Sequence, residues 1–525
     1  MNSEKTKVIW IGCKKHSKDK LNVTARLEWG VSKFTLLGLE FSTDLDTIPE
    51  MNYNKVLSQA RKIIKSWQYR ILTPLGKIAV IKTLVLSKFN HLFISIPISE
   101  KFLKKINDLI FHYLWGGKPD KISRMAICAN YFDGGLKMVN IFNFEKSLKL
   151  SWIKRIANQD KTDWYKLLQI SIKKPKDIFI CGGEFCITFI KNTNPFWSSV
   201  FQYWKLFCHT KKASCNQDIL SSSLWYNRQL SKNNLFYQDW FNKGIHTIGD
   251  VVDSEGIIHD YKVLKRKYDL NINILNYYTV KGLVNQFIAR NRVGDDFEIT
   301  RPQIPFHINT LLNTSKSCSK KFYLELVKAE SGEPLCEIKW NDEFNYILNK
   351  DHWKVIYKIC FKSLVDNSFV WFQYRILYRI LGTKAYLHKL KIFESNLCGL
   401  CGDESESITH LFSECKESNE LWNNVKNWLK NSISYVLDLN RIIKILGYTI
   451  NDENFWPLNF LLLIVRNYIF NCSKHNRHLN IYNLQMIAKE KYLEQEAISK
   501  FNSQYEKFTK RWIVWKNIFC NINQS

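Results

Sequence analysis

Proline and glycine are scarce in this chain. Ten prolines and 20 glycines in 525 residues leave long stretches with nothing to interrupt a helix, so long helices with short connections are expected to dominate. One compact core cannot serve a chain of this length, and 46% hydrophobic with 14% aromatic residues is enough to fill several. The expectation is a mostly α, multidomain protein and not a disordered one.

Apolar spacing places the elements. Residues 1–48 are the exception to helix: Val8-Ile9-Trp10-Ile11-Gly12 and Phe34-Thr35-Leu36-Leu37-Gly38-Leu39-Glu40-Phe41 are short β-prone runs closed by glycine, expected to be the edge of a sheet whose remainder is not in this chain. From Tyr53 the period changes, with Val56, Ala60, Ile63, Ile64 and Trp67 at helical spacing. Thr73-Pro74-Leu75-Gly76 breaks that helix. A second is expected over 77–90, with Ile78, Ile81, Leu84, Val85 and Leu86 on its apolar side, and a third over 100–115 before Gly116-Gly117. Residues 160–335 alternate aromatic-rich helical segments with turns and include a soluble linker at 300–305. An amphipathic helical pattern over 353–390 leads into a cysteine cluster, 420–429 is helical again, and two or three helices follow from 441 onward, with a charged, solvent-facing stretch over 489–500.

Charge and cysteine usage bound the function. Lys and Arg number 76 against 48 Asp and Glu, and the resulting formal charge of +28 points to a phosphate-rich partner. Fourteen cysteines lack the dense, regular spacing of a disulfide scaffold, and the opening residues are no signal peptide. An intracellular location, cytoplasm and/or nucleus, is expected, with thiols free or on a metal. The longest apolar run, Phe460 to Val465, stops at Arg466, far short of the ~20 residues a membrane span needs.

The sharpest local pattern is Cys398-x2-Cys401-x8-His410-x4-Cys415. Two cysteines two apart on a tight turn converge their thiolates on one ion, and a His and Cys five apart can close a tetrahedron from the next turn or helix start. Gly399 and Gly402 relieve the turn of side-chain clashes. Ile408, Leu411 and Phe412 are placed to pack on a helix bearing Leu421, Trp422, Val425 and Leu429, while residues 393–415 hold too few apolar side chains to order themselves without a staple. The expected cofactor is one structural Zn2+. Cys181, Cys186, Cys208 and Cys215, and the run Cys472, His475, His478, lack ligand spacing and read as core thiols and surface imidazoles.

Lys55, Arg61, Lys62, Lys65, Arg70, Lys77 and Lys82 lie beside Trp67, Tyr69 and Phe89, a mixture suited to a phosphate backbone with sugars or bases stacked nearby. Two-metal phosphoryl transfer needs closely placed carboxylates. The adjacent pair Asp295-Asp296 sits among Arg292, Gly294 and Glu298 and reads as a polar turn. No Gly-rich phosphate loop, Ser-His-Asp or H-E-x-x-H arrangement accompanies it.

In order along the chain, these residues resemble the carboxy-terminal part of a LINE-type (non-LTR) retrotransposon reverse transcriptase. Asn2, Lys5 and Thr6 followed by Val8 to Gly12 are similar to the segment after the family's catalytic Asp-Asp turn. The resemblance implies that Lys5 lies near the incoming nucleotide's phosphates and that Leu37-Gly38-Leu39-x-Phe41 is the hairpin presenting the primer end. Trp67-x2-Arg70-x-Leu72-x2-Leu75-Gly76-Lys77-x4-Ile81-Lys82 looks like the start of the thumb. Phe111-x3-Trp115, Gly134-Gly135-Leu136 and Leu148-x-Leu150-x-Trp152-Ile153 look like its continuation. Leu224-Trp225-x-Asn227 and Trp240-x3-Gly244-Ile245 resemble linker landmarks, and Phe372-x2-Arg375-Ile376-Leu377, the Cys/His cluster and Trp422 resemble the reverse-transcriptase zinc-binding domain.

The resemblance implies a palm remnant at 1–48, a thumb-like helical domain at 49–160, a helical linker at 161–340, a zinc-binding-like domain at 341–440 and a helical tail at 441–525. In the family the catalytic aspartates precede the Asn-x2-Lys-Thr segment, which begins here at residue 2, so no polymerase activity is expected of this chain. RNA and/or DNA are the implied partners, together with a separate catalytic half of a reverse transcriptase. Three rivals stay open: an enzyme using Asp295 and Asp296, a retroelement-derived host protein serving protein contacts, and a decayed reading frame.

Overall fold

The computed structural model describes residues 7–18, 28–29, 32–158, 162–210, 216–253, 255–291, 312–313, 318–330, 332, 334–363, 366–434, 436–450 and 452–520. Lys5, Cys215, Asp295, Asp296 and the 300–305 linker lie outside the described residues. The fold is mostly helical, with two small two-stranded sheets among the described residues. It divides into two compact units, each assembled from separate stretches of chain. One comprises Met1–Trp67, Lys82–Ile110 and Asn140–Glu330; the other comprises Gln68–Ile81, Phe111–Val139 and Ser331–Ser525.

In the first unit, Lys33–Leu36 pairs antiparallel with Leu39–Ser42 around a two-residue turn, and Phe34 stacks on Phe41 across the strands. The buried Asn52 amide ties this hairpin to the Ile48–Trp67 helix. It accepts from the Glu40 N–H at 2.9 Å and donates to the Glu40 carbonyl at 2.7 Å. The helix buries Tyr53, Leu57, Ala60 and Ile64, while Val56, Ile63 and Trp67 are only half-buried. Its apolar stripe is therefore centred one position away from the expected one. A second core joins the Ile141–Asn158, Pro195–Thr210 and Ser319–Glu330 helices around Trp204, Phe207 and Phe322. Leu224, Trp225, Trp240 and Ile245 meet in a third, where the Trp225 indole donates to the Ile245 carbonyl at 2.7 Å.

The 77–90 helix expected from sequence is not continuous. Pro74–Val80 is α-helical, Ile81–Val85 widens into a π turn and Leu86–Lys88 tightens into a 3-10 turn. The β-branched residues Val80, Ile81, Thr83 and Val85, which favour a regular helix slightly less than unbranched residues, run through the break. Leu84 faces outward, whereas Phe89 is fully buried and stacked on Phe93, so it is not available to stack on a base.

The second unit is organised on the Trp456–Lys474 helix. Phe460 to Val465 are at most 1% exposed, which explains an uninterrupted apolar run without a membrane. No described helix is long and apolar enough to cross one. Arg466 is buried at the end of this run and meets neutral acceptors on two of its nitrogens: Nε donates to Gln373 Oε1 at 3.0 Å and Nη1 to the Ile443 carbonyl at 3.4 Å, while Nη2 is buried without a partner. Around it stand Leu335–Phe344, Lys350–Lys362, Asn367–Leu377, Lys416–Ile433, Ile481–Phe501 and Tyr505–Trp512. The helical pattern over 353–390 is broken where Asp366 and Thr383 accept the backbone N–H groups that open the next helices. From 441 onward there are five α-helices among the described residues, not two or three. Gly135 permits a close backbone approach: a Cβ there would lie 1.9 Å from the Ala129 carbonyl oxygen.

Candidate metal centre

Local rules bring the four predicted ligands together. Cys398 opens a turn in which its N–H donates to the Glu404 carbonyl at 2.7 Å and its carbonyl accepts from Gly402 at 3.0 Å, with Leu397 bridged to Ser405 across the turn. Cys401 sits on the turn. His410 starts the His410–Glu414 π turn, and its carbonyl accepts from the Cys415 N–H at 2.8 Å, so the wide turn itself sets the spacing of these two ligands. Cys415 then caps the Lys416–Ile433 helix.

The ligand atoms of Cys398, Cys401, His410 and Cys415 all lie within 4.8 Å of one another, and the Cys401 Sγ to His410 Nε2 distance is 3.4 Å. A tetrahedral zinc ion bound by S and N donors has ligand-to-ligand separations of roughly 3.5–3.8 Å. The donor set and its spacing fit zinc with small adjustments. Cys398, His410 and Cys415 are buried and Cys401 is half-buried.

The surroundings orient these donors. Glu404 Oε2 lies 2.9 Å from His410 Nδ1, which turns Nε2 toward the thiols. The Cys415 thiol is drawn well below its ordinary range, first by a hydrogen bond from Cys398 and then by the Ser418 and Glu417 N–H groups at the start of its helix, with burial opposing them. Cys398 is pushed up by that same hydrogen bond and by burial. One thiolate is thus already favoured at the site, as zinc binding requires. All four positions would be filled by protein, which leaves none for an activated water and makes the role structural.

Two features were not foreseen from sequence. Glu406, only 2% exposed, accepts from the Gly399 N–H at 3.0 Å, the Lys384 N–H at 2.9 Å and the Ser473 hydroxyl, fastening the cysteine turn to the Trp456–Lys474 helix. Gly399 makes that approach possible, since a Cβ there would lie 2.2 Å from the Ser473 carbonyl oxygen. A charged Glu in a polar stretch carries no signal of this, and Ser473 lies 67 residues away.

Cys472 is buried and Cys181, Cys186 and Cys208 are free thiols. Burial pushes the thiols of Cys472, Cys186 and Cys208 up, Cys208 to about 12. Among the described residues none of them joins a metal-binding group.

The predicted cationic residues are distributed between the units. Lys55, Arg61, Lys62, Lys65 and Lys82 belong to the first, and Arg70 and Lys77 to the second. Lys55 pairs with Glu40. Arg61, Lys62 and Lys65 are exposed. Lys77 is turned inward: its ammonium donates to the Tyr113 and Leu114 carbonyls at 3.2 and 3.3 Å, at the end of the Glu100–Trp115 helix, and burial lowers its pKa.

Residues 339–422 match the family model described as zinc-binding in reverse transcriptase. All four candidate ligands and Trp422 fall within that stretch. The match supports a reverse-transcriptase-associated region in the second unit, and its Cys/His group is consistent with zinc.

Proposed function

We propose that this chain is a nucleic-acid-binding carboxy-terminal part of a LINE-type reverse transcriptase, with palm-end, thumb and linker segments preceding the zinc-binding region, and that it does not itself polymerise. The observation that carries the binding reading is the outer face of the Ile48–Trp67 helix. Arg61, Lys62 and Lys65 are neighbours there at helical spacing, and the helix has one carboxylate, Glu50, three turns away. Like charges at that spacing destabilise a helix by about 0.2–0.5 kcal/mol per pair, a cost that a polyanion on this face would reverse. The reverse-transcriptase association of residues 339–422 supports RNA or DNA as that polyanion.

In this reading the zinc unit orders a platform and Lys77 holds a helix end, so phosphate contact falls to the exposed residues. Replacing Arg61, Lys62 and Lys65 together by alanine is expected to weaken binding to a labelled RNA or DNA strand. It should also lower the slope of log affinity against log salt by about 2 to 2.7, at about 0.7 to 0.9 per phosphate contact. Fluorescence anisotropy across a salt series reads both. An unchanged slope places the contact surface elsewhere, and no binding by the wild-type chain overturns the reading.

A further inference from the structure

The second unit contains a cavity of about 230 Å³ where the end of the Ile481–Phe501 helix, the following turn and the Tyr505–Trp512 helix meet the end of Lys350–Lys362. Lys362, Lys507 and Arg511 line it, and no carboxylate does. Among the described residues none of the three has an ion-pair partner. Lys507 and Arg511 are four apart on one short helix, so their charges repel unless something between them is negative. Arg511, which lines the cavity, has its Nε buried without a hydrogen-bond partner.

The remaining wall supplies the other half of a recognition surface. Asn502 and Gln504 contribute amides, and the half-buried rings of Phe361 and Phe508 contribute aromatic faces. Unpaired cations, amides and aromatic faces together are the chemistry by which a single strand is held: guanidinium and ammonium on phosphate, ring on sugar or base. The volume is below the roughly 300–1,000 Å³ of sites for drug-sized ligands, which suits one phosphate with its attached sugar and not a whole cofactor. A base can stack on the aromatic wall only when it is unpaired, so a single strand can fill both halves of the site whereas a duplex offers only its phosphate and sugar.

We infer that this cavity is a single-strand nucleic-acid subsite, in which Arg511 and Lys507 hold a phosphodiester and Phe508 meets the adjoining sugar or base. The inference rests on the nucleic-acid reading above and adds a site and a strand preference to it. The zinc-loaded full chain is titrated with a fluorescein-labelled oligouridylate and with the same strand annealed to its complement.

The Lys507→Gln/Arg511→Gln variant is expected to lose about tenfold or more in single-strand affinity and about 1.4 in salt slope, two contacts at about 0.7 each, with duplex affinity held within about twofold. Phe508→Leu, which keeps an apolar side chain there, should lose about fivefold or more in single-strand affinity with the slope unchanged. Circular dichroism and zinc content confirm that each variant folds. Wild-type binding with unchanged affinity and slope in the double variant overturns the subsite alone. Equal losses on single strand and duplex also overturn it, because they indicate general surface attraction. Failure of the wild-type chain to bind either probe overturns the subsite and the parent reading together.

Discussion

Cys398→Ser is expected to release zinc and to open residues 393–407 to protease while the Lys416–Ile433 helix stays protected. Apart from the Glu406 hydrogen bonds to Gly399, Lys384 and Ser473, little else holds the turn: Phe393 is 50% exposed and Leu397 is 45% exposed, and the turn's own hydrogen bonds close only a few residues. Structural zinc sites contribute about 10–16 kcal/mol of apparent binding free energy in small domains at neutral pH, and that energy is folding energy for the segment bearing the ligands. Beyond the turn the situation reverses. Ile408, Leu411 and Phe412 and the Leu421, Trp422, Val425 and Leu429 face belong to the large core of the second unit, which is expected to persist without the ion. Limited proteolysis with mass-spectrometric mapping of the cuts checks the boundary. Cleavage spreading through 416–433 in the variant would show that the metal supports far more of the fold than the turn.

The largest purely packing effect is expected at Trp422. Its side chain is fully buried, and the indole N–H donates to the Phe412 carbonyl at 2.9 Å, linking the helix after the last ligand to the turn before it. Trp422→Ala removes a large aromatic volume, a change that costs about 3–5 kcal/mol in a core. It also leaves that carbonyl without its partner, for about 1–3 kcal/mol if water cannot reach it. A total of about 4–8 kcal/mol is expected in the opening free energy of Lys416–Ile433, about a thousandfold or more in amide exchange rate. Trp422→Phe, which retains most of the ring volume and loses the hydrogen bond, should cost about 1–2 kcal/mol. Hydrogen exchange resolved to this helix is the suitable measurement, because two units need not unfold in one transition. Equal effects of Ala and Phe would assign the stability to the hydrogen bond instead of the packing.

How far the sequence could be read depended on the range of the interactions. The ligands were legible because Cys398, Cys401, His410 and Cys415 lie within eighteen residues, and their geometry follows from one turn, one π turn and one helix start. The helices over 48–67 and 100–115 were legible from their apolar periodicity, although the buried stripe of the first is shifted by one position. Partners distant in sequence were not. Glu406 carries no sequence signal of its role, because its partners Lys384 and Ser473 come from other stretches of chain. Lys77 looked like a phosphate ligand, and only the fold supplies the carbonyls of Tyr113 and Leu114 that hold it. Arg511 drew no notice, because the residues that make its cavity come from stretches about 150 residues apart. The break at 81–88 carries no proline or glycine and so lacked the usual punctuation.

Zinc stoichiometry by native mass spectrometry decides whether Cys398, Cys401, His410 and Cys415 hold an ion, measured on the wild-type chain, Cys398→Ser and Cys472→Ser, each expressed in zinc-supplemented medium. Cys472 is the control, a buried thiol outside the metal-binding group. The account predicts one zinc in the wild-type chain, none in Cys398→Ser and one in Cys472→Ser. A wild-type chain that carries no zinc yet resists protease over 393–415 would contradict it.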